Sequence, residues 1–209
     1  MMKSDKRERI LRGLLNHPPG TLSIYRLAKE AQSSHSWTID FLYKLEKLKL
    51  ITKKQKTSNT NRQIAATYIT DIIGIYTYWT TLNYSPLIRE YNIQKPLQLL
   101  TQTSLPYALT TYQAENLIQN YLFPSRIDLY IKKQHINIWH QNLTNHGLVG
   151  KGNTRLIIQD DHVFYKRRRK QNFTIVSTPQ LIHDLLKEGG VAEEAALMLI
   201  RKYHHATLS

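Results

Sequence analysis

Three segments near the start of the chain carry apolar residues at the spacing of an α-helix, and this pattern most limits how the chain can fold. They are residues 5–16, 22–31 and 36–48, separated by a Pro-Pro-Gly break and by a polar Gln-Ser-Ser break. Apolar positions that recur every three to four residues bury one side of a helix, whereas a strand needs alternation. The first 50 residues are therefore predicted to form three short packed helices, with Thr21 capping the second.

A basic hairpin is predicted directly after the third helix. Residues 50–52 and 67–69 alternate as strands do, and the polar stretch between them contains lysine and arginine. Helix, helix, turn, helix and basic hairpin is the order of a winged helix-turn-helix, whose recognition helix enters the major groove of DNA. Residues 36–51 resemble the recognition helix of archaeal and bacterial winged-helix regulators. In those proteins the helix often ends in Leu-Glu-x-x-Gly-Leu-Ile/Val. In this chain Lys49 stands at the glycine position, and a lysine in the left-handed conformation of a helix end would be strained.

The charge of the chain indicates a polyanionic partner. Among its 209 residues, 29 lysines and arginines stand against 15 acidic residues, which gives a formal net charge of +14. The first 70 residues alone hold 14 basic and 5 acidic side chains. Such an excess favours nucleic acid first and an anionic membrane surface second, although an idle basic surface is the other interpretation.

The candidate DNA contacts of the N-terminal part lie at the start of the third helix, along its polar face and in the hairpin. Side chains at a helix start can meet phosphates or base edges, and hairpin cations follow phosphates without reading sequence. An ordinary solvated face is the alternative. The candidates are Ser34, His35, Ser36 and Thr38, then Tyr43, Lys44 and Lys47, and in the hairpin Lys53, Lys54, Lys56 and Arg62.

The densest charge block lies far from this region. Five consecutive cations occupy residues 166–170, namely Lys166, Arg167, Arg168, Arg169 and Lys170. They stand between two strand-like segments, so a hairpin tip or loop is expected. Such a block is a candidate second phosphate contact, with RNA, an acidic partner or a solvated turn as alternatives.

The sequence predicts an α+β protein of two domains. Residues 1–82 form the winged helix-turn-helix with a trailing helix, 83–105 a connector, and 106–209 a mixed α/β domain. The trailing helix packs on the first domain or serves in dimerisation. Helices are expected at 111–123, capped by Thr110, and at 178–186 and 191–203. Strands are expected at 127–131, 156–158, 162–164 and 173–176, while the state of 136–143 stays undecided.

Four phrases in the second half resemble the C-terminal domain of AbiEi-type proteins, the antitoxin and regulator half of type IV toxin–antitoxin (abortive infection) systems. They are YALTTYQA at 107–114, IDLYI at 127–131, GNTRL at 152–156 and VSTPQLIHDL at 176–185. The ending GGVAEEAA at 189–196 is similar to the family's Gly-Arg-x-x-Glu-Ala-Ala. Two departures are Ile182-His183, where the family often has Tyr-Leu, and Val191, where it has arginine.

The resemblance implies a regulator that binds double-stranded DNA and represses its own operon through repeated half-sites, an arrangement open to a homodimer on DNA. It also implies a nucleotidyltransferase-like toxin as partner. Many members are stand-alone regulators, so DNA binding is the firmer expectation. A DNA-binding protein of a mobile element or virus, acting in replication or host control, is the alternative.

No enzyme, cofactor or metal is expected. A metal-dependent nuclease needs an acid on one strand and an acid-x-lysine on the next; Asp128 and Glu115 are candidate acids, but residues 158–161 lack the lysine. Asp128 is interpreted as a hydrogen-bonded strand residue. Residues 150–154 lack the Walker spacing and are interpreted as a turn, and the histidines show no metal-binding motif.

A cytoplasmic protein is expected. No apolar run approaches the ~18 residues of a membrane span, and no apolar segment follows the charged N-terminus. The chain has no cysteine, which excludes disulfides and thiolate zinc sites.

Overall fold

A computed structural model describes residues 5–17, 19, 21–57, 63–82 and 85–204. The chain divides into two compact units. The N-terminal unit comprises the described residues up to 82 together with 200–204, and the C-terminal unit runs from 85 to 199. No helix among these residues has the length and apolar character needed to cross a membrane.

The N-terminal unit is built from short capped helices and one hairpin. Asp5, Ser23, Ser34 and Asp71 each accept a backbone N–H at a helix start. The expected cap Thr21 is wrong, because the second helix begins two residues later behind Ser23. The elements are α1 (Lys6–Leu15), α2 (Ile24–Glu30), α3 (His35–Lys47), β1 (Ile51–Thr57), β2 (Gln63–Ile69) and α4 (Ile72–Thr80).

The C-terminal unit alternates helices with the strands of one sheet. Its elements are β3 (Leu87–Ile93), α5 (Pro96–Gln102), β4 (Tyr107–Thr110), α6 (Thr111–Gln119), β5 (Ile127–Ile131), α7 (Ile136–Thr144), β6 (Gly147–Val149), β7 (Thr154–Ile158), β8 (Arg168–Lys170), β9 (Phe173–Ile175), α8 (Thr178–Glu188) and α9 (Val191–His204). Short 3₁₀ helices occupy Lys133–His135 and Asp161–Phe164.

The sheet has the strand order β6-β3-β7-β5-β4-β9-β8. The β5–β7 and β4–β9 pairs are parallel and the other pairs are antiparallel, so the sheet is mixed. Its middle strands are buried along their length, because all five residues of β5 and all four of β4 are buried. The expected mixed α/β architecture is confirmed.

Several sequence-based assignments differ from the structure. Residues 83–105 are not simply a connector, because β3 pairs with both β6 and β7 inside the sheet. Residues 162–164 form a 3₁₀ helix rather than a strand, since Asp160 accepts the backbone N–H of His162 and starts the turn. α6 ends at Gln119, before the expected 123, because Asn120 takes a left-handed conformation. The undecided segment 136–143 is helical.

The structure of the end of α3 explains why a glycine would be expected at the position of Lys49. The backbone N–H of Leu50 donates to the carbonyl of Leu45, and that of Lys49 to the carbonyl of Glu46. This pair of bonds defines a left-handed helix ending. Lys49 accordingly has a φ of 60°, so its side chain is held in a conformation that glycine adopts more easily.

The stability of the N-terminal unit is expected to depend on the charge of His204. Its Nε2 lies 2.9 Å from the hydroxyl of fully buried Tyr76, and burial lowers the pKa of His204 to about 4. Between pH 6.5 and 4 the unfolded chain therefore binds a proton that the folded chain excludes. The free energy of unfolding is therefore highest above pH 6.5, and it is lower by about 2 kcal/mol at pH 5.

Urea unfolding at pH 7 and pH 5 measures this loss. The His204→Gln variant should lose less stability on acidification than the native chain. His35→Gln, a change at an exposed position, should behave as the native chain does. An equal acid-induced loss in native chain and His204→Gln would contradict the assignment.

Candidate nucleic-acid interface

α2 and α3 are joined by a tight turn that fixes the direction of α3. The N–H of Ser33 donates to the carbonyl of Ala28, and that of Gln32 to Lys29. Gln32 has a φ of 51°, and Ala31 is fully buried between the two helices. The turn is thus a left-handed helix ending followed at once by the Ser34 cap of α3.

α3 divides sharply into a buried and an exposed side. Thr38, Phe41, Leu42 and Leu45 are buried. Ser36, Asp40, Tyr43 and Lys47 are exposed at spacings of three and four residues, which places them on one stripe of the helix. In this unit, the stripe is a solvent-facing row of polar groups long enough to line a groove. We refer to these four residues as the α3 stripe.

The structure corrects one of the predicted DNA contacts. Thr38 is fully buried and its hydroxyl donates to the backbone carbonyl of Ser34 at 2.9 Å. It therefore stabilises the start of the helix and has no surface to offer a base. Ser34, His35, Ser36 and Lys44 are exposed, as predicted.

Tyr43 is the centre of a small cationic cluster. The ammonium of Lys47 lies 4.7 Å from its ring centroid and that of Lys53 5.9 Å, so α3 and the hairpin meet at this ring. Lys53 also pairs with Glu46 at 3.0 Å, and this hydrogen bond holds the pKa of Glu46 below its usual value. Since Glu46 balances one charge of the cluster, Lys47 is its uncompensated cation.

Of the four cations predicted to contact DNA from the hairpin, the structure describes the side chains of Lys53 and Lys54. Lys54 is exposed and its ammonium lies 5.7 Å from the ring of Tyr68 on the neighbouring strand. Lys56 belongs to β1, but its side chain lies outside the described residues, and so does the whole of Arg62.

Sequence reasoning missed exposed residues on both helices. Asp40 lies in the middle of the α3 stripe and Ile39 beside it, while Tyr25, 71% exposed, and Lys29 lie one turn apart on α2. Asp40 follows Ser36 by four residues and precedes Lys44 by four. That spacing alone would have placed it on the same face as the predicted contacts.

The five-cation block of residues 166–170 is exposed throughout. Its last three residues form β8, an edge strand that pairs with β9. The expectation of a loop is therefore wrong for Arg168, Arg169 and Lys170. Lys166 and Arg167 precede the strand, as part of the connection from the 3₁₀ helix.

Residues of the AbiEi-like phrases meet in a first buried network of the C-terminal unit. Fully buried Asp128 accepts bonds from the guanidinium groups of Arg126 and Arg155, at 2.7–3.0 Å, and from the hydroxyl of Thr111. Both arginines also reach Glu188. The hydrogen bond to Asp128 raises the pKa of Arg126 above its usual value. The interpretation of Asp128 as a hydrogen-bonded strand residue is confirmed.

A second buried network surrounds Asp184. Its carboxylate accepts bonds from Thr110, Tyr130 and Gln180, and His183 Nδ1 lies 3.1 Å away. Thr110 and Thr111 are neighbours, so the strand-to-helix junction of β4 and α6 connects both networks. The backbone of Thr111 is strained at this junction, because its φ of 46° is one that a β-branched residue seldom adopts.

The GNTRL phrase has a structural explanation in a close backbone approach. A Cβ atom at Gly152 would lie 2.5 Å from the carbonyl oxygen of Tyr91, so only glycine fits there. The amide of Asn153 then bonds both the N–H and the carbonyl of Ile93. The segment is thus a bend that ties β7 to β3.

Within the described ranges no three histidine or acidic side chains come together as metal ligands would. Glu115, the second candidate acid, is fully buried on α6 and accepts the backbone N–H of Leu122 at 2.7 Å. A comparison with protein-family models, curated proteins and solved structures finds no match to this chain.

Proposed function

We propose that the chain is a sequence-specific regulator that binds double-stranded DNA through a winged helix-turn-helix in its N-terminal unit. The α3 stripe is the observation that carries this proposal. It combines a hydroxyl, a carboxylate, a phenol and an ammonium on one exposed face, a set able to bond base edges and phosphates. The tight turn from α2 holds this helix with its outer face free.

The strand pairing of the unit supports the winged form. β1 and β2 form an antiparallel hairpin directly after α3, and Ser23, just before α2, bridges Ala66 of β2. This single bridge lies between the first two helices, at the place where a winged domain has its short third strand. The bridge fixes the hairpin against α2, beside the recognition helix.

Asp40 gives the proposed interface its selectivity. An exposed carboxylate among cations repels phosphate, so it lowers affinity for DNA in general. It can accept a bond from the amino group of cytosine, and only a site that offers this donor offsets the repulsion. The stripe thereby favours particular sequences over random duplex.

The hairpin cations are expected to add affinity without selectivity. Replacing Lys53, Lys54 and Lys56 with alanine should weaken binding to every duplex and lower the slope of log affinity against log salt by up to about 2.7, or about 0.9 per phosphate contact. Lys53 should contribute least because it already pairs with Glu46. Gel shifts on random duplex over a salt series measure the slope.

A matched control keeps the same change in net charge. Lys95, Lys133 and Lys151 are exposed lysines of the C-terminal unit, and their replacement by alanine should leave the slope nearly unchanged. A hairpin variant whose slope equals that of the native chain would remove the hairpin from the interface.

The AbiEi-like phrases support a narrower role as an autoregulating antitoxin. In this role the chain binds repeated half-sites upstream of its own operon, as a homodimer, and neutralises a nucleotidyltransferase-like toxin. Co-expression with a nucleotidyltransferase encoded beside it tests the second part: growth arrest by that enzyme should be relieved by this chain. Persistent arrest would leave the regulator without the antitoxin role.

A further inference from the structure

The edge strand β8 and the two residues before it form the most concentrated charge on the described surface. Lys166, Arg167, Arg168, Arg169 and Lys170 are all exposed, and none of them pairs with an acidic group among the described residues. We call these five residues the β8 cations. By contrast, the arginines at 126 and 155 in the same unit are each paired with two carboxylates.

The β8 cations are held in a fixed arrangement. Lys166 and Gln171 bracket the strand with φ values of 55° and 51°, conformations that non-glycine residues seldom adopt. The guanidinium of Arg167 lies 5.3 Å from the ring of Phe164, and β8 pairs with β9 along its length. The charges are therefore carried on a hairpin whose backbone is already paired, so little backbone order remains to be acquired on binding.

Protection of a sheet edge explains only part of this charge. Charged residues on an edge strand help to prevent pairing with other chains. The opposite edge, β6, carries no charge at all and exposes Leu148 and Val149. Edge protection is thus not applied evenly to this sheet, and five successive uncompensated cations are better explained by an anionic ligand.

The surroundings of β8 favour a phosphate backbone over unstacked bases. Single-stranded nucleic acid is usually held by exposed aromatic rings on which bases stack. Phe164, Tyr165 and Phe173 are only partly exposed, and the first two are covered by Arg167 and Lys166. Neighbouring residues of β8 also point to opposite sides, so the cations form a ridge rather than a groove for a peptide.

We propose that the β8 cations bind the sugar–phosphate backbone of duplex DNA, as a second, sequence-independent contact on the C-terminal unit. This inference rests on the proposed function of the N-terminal unit only for the identity of the ligand. Such a contact adds affinity for duplex DNA of any sequence, and this added affinity depends on salt.

The test replaces Arg167, Arg168 and Arg169 with alanine and measures binding to a long random duplex over a salt series. The slope of log affinity against log salt should fall by about 1 to 2, since each lost phosphate contact removes about 0.9 and adjacent side chains of a strand do not face the same side. Three exposed lysines at 95, 133 and 151 give the matched control, whose slope should change by less than about 1. The variant with lysine at 167, 168 and 169 retains the charge and should retain the slope.

Three outcomes are decisive. Equal slopes for the arginine-to-alanine variant and the lysine control would overturn the proposal. A loss confined to single-stranded RNA, with duplex binding unchanged, would also overturn it and make RNA the ligand. A lowered slope in the β8 variant together with an unchanged slope in the hairpin variant would support the β8 contact while removing the hairpin of the N-terminal unit, so the two proposals fail separately.

Discussion

Replacing Asp128 with asparagine is expected to lower the free energy of unfolding of the C-terminal unit by about 3–5 kcal/mol. Asp128 is fully buried and bridges two guanidinium groups through both of its oxygens. The amide has the same size but no charge, and its nitrogen faces donors. Arg126 and Arg155 would then share only Glu188.

Chemical denaturation of native and variant chains measures the loss. Glu188→Gln is the matched control, because Glu188 contacts the same two arginines but is partly exposed at the edge of the network. It should cost about 1 kcal/mol or less. Losses of similar size in the two variants would contradict the assignment of Asp128 as the centre of the network.

This result also bears on how a nuclease would be tested. Loss of cleavage in Asp128→Ala would ordinarily identify a metal ligand. Here the same change removes the counter-charge of two arginines and is expected to destabilise the unit. A cleavage assay with this variant is informative only when its unfolding curve is measured beside it.

Replacing Arg12 with alanine is expected to destabilise the N-terminal unit by about 3–5 kcal/mol. Arg12 is 1% exposed in the middle of α1, with its guanidinium 5.4 Å from the ring of Trp79 and 3.9 Å from the carboxylate of Glu8. Removing it takes one cation from beside the buried Glu8 carboxylate and opens a cavity beside Trp79.

A double-mutant cycle separates the two causes. Arg12→Met keeps most of the packing and removes the cation beside Glu8, Glu8→Gln removes the carboxylate charge, and the double variant Glu8→Gln/Arg12→Met removes both. The double variant should be more stable than Arg12→Met alone. Lys6→Ala, at an exposed position of α1, should change stability by less than about 0.5 kcal/mol. Additive single and double effects would show that the pair is not coupled.

The elements that could be predicted are those whose bounds follow from the spacing of apolar residues and the capping residues within one short segment. α1 and α3 begin and end within a residue or two of their apolar stripes, because polar caps such as Asp5 and Ser34 stand at the boundaries. β5 matches its predicted range fully, since its aliphatic residues Ile127, Leu129 and Ile131 recur at every second position, which is the period of a strand.

The parts that could not be predicted depend on distant partners. β8 has no apolar residue, so nothing local favours a strand; it forms because β9 offers its backbone. β3 shows period-two burial only at Tyr91 and Ile93, where β6 also pairs with it, while Leu87 and Ile88, which pair with β7, are exposed. Such strands are set by the sheet, not by their own sequence.

The candidate site shows the same division. The prediction that Tyr43 and Lys47 lie on the polar face of the helix agrees with their exposure, whereas Thr38, predicted from its place at the helix start, stands four residues before buried Leu42 and is itself buried. The hydroxyl of Thr38 suits a DNA contact, but its position in the helix turns it toward the core. Positive charge alone does not point to Asp40, although an exposed carboxylate among cations is the more selective group.

The central claim, that the α3 stripe reads DNA sequence, is tested most directly by gel shift. The chain is titrated against the DNA upstream of its own gene and against a random duplex of equal length, over a salt series with Mg²⁺ present. The account predicts a preference of tenfold or more for the upstream DNA, about 1.4 kcal/mol, that Asp40→Ala reduces. Equal affinity for both duplexes at every salt concentration would contradict it and indicate a general DNA-binding role.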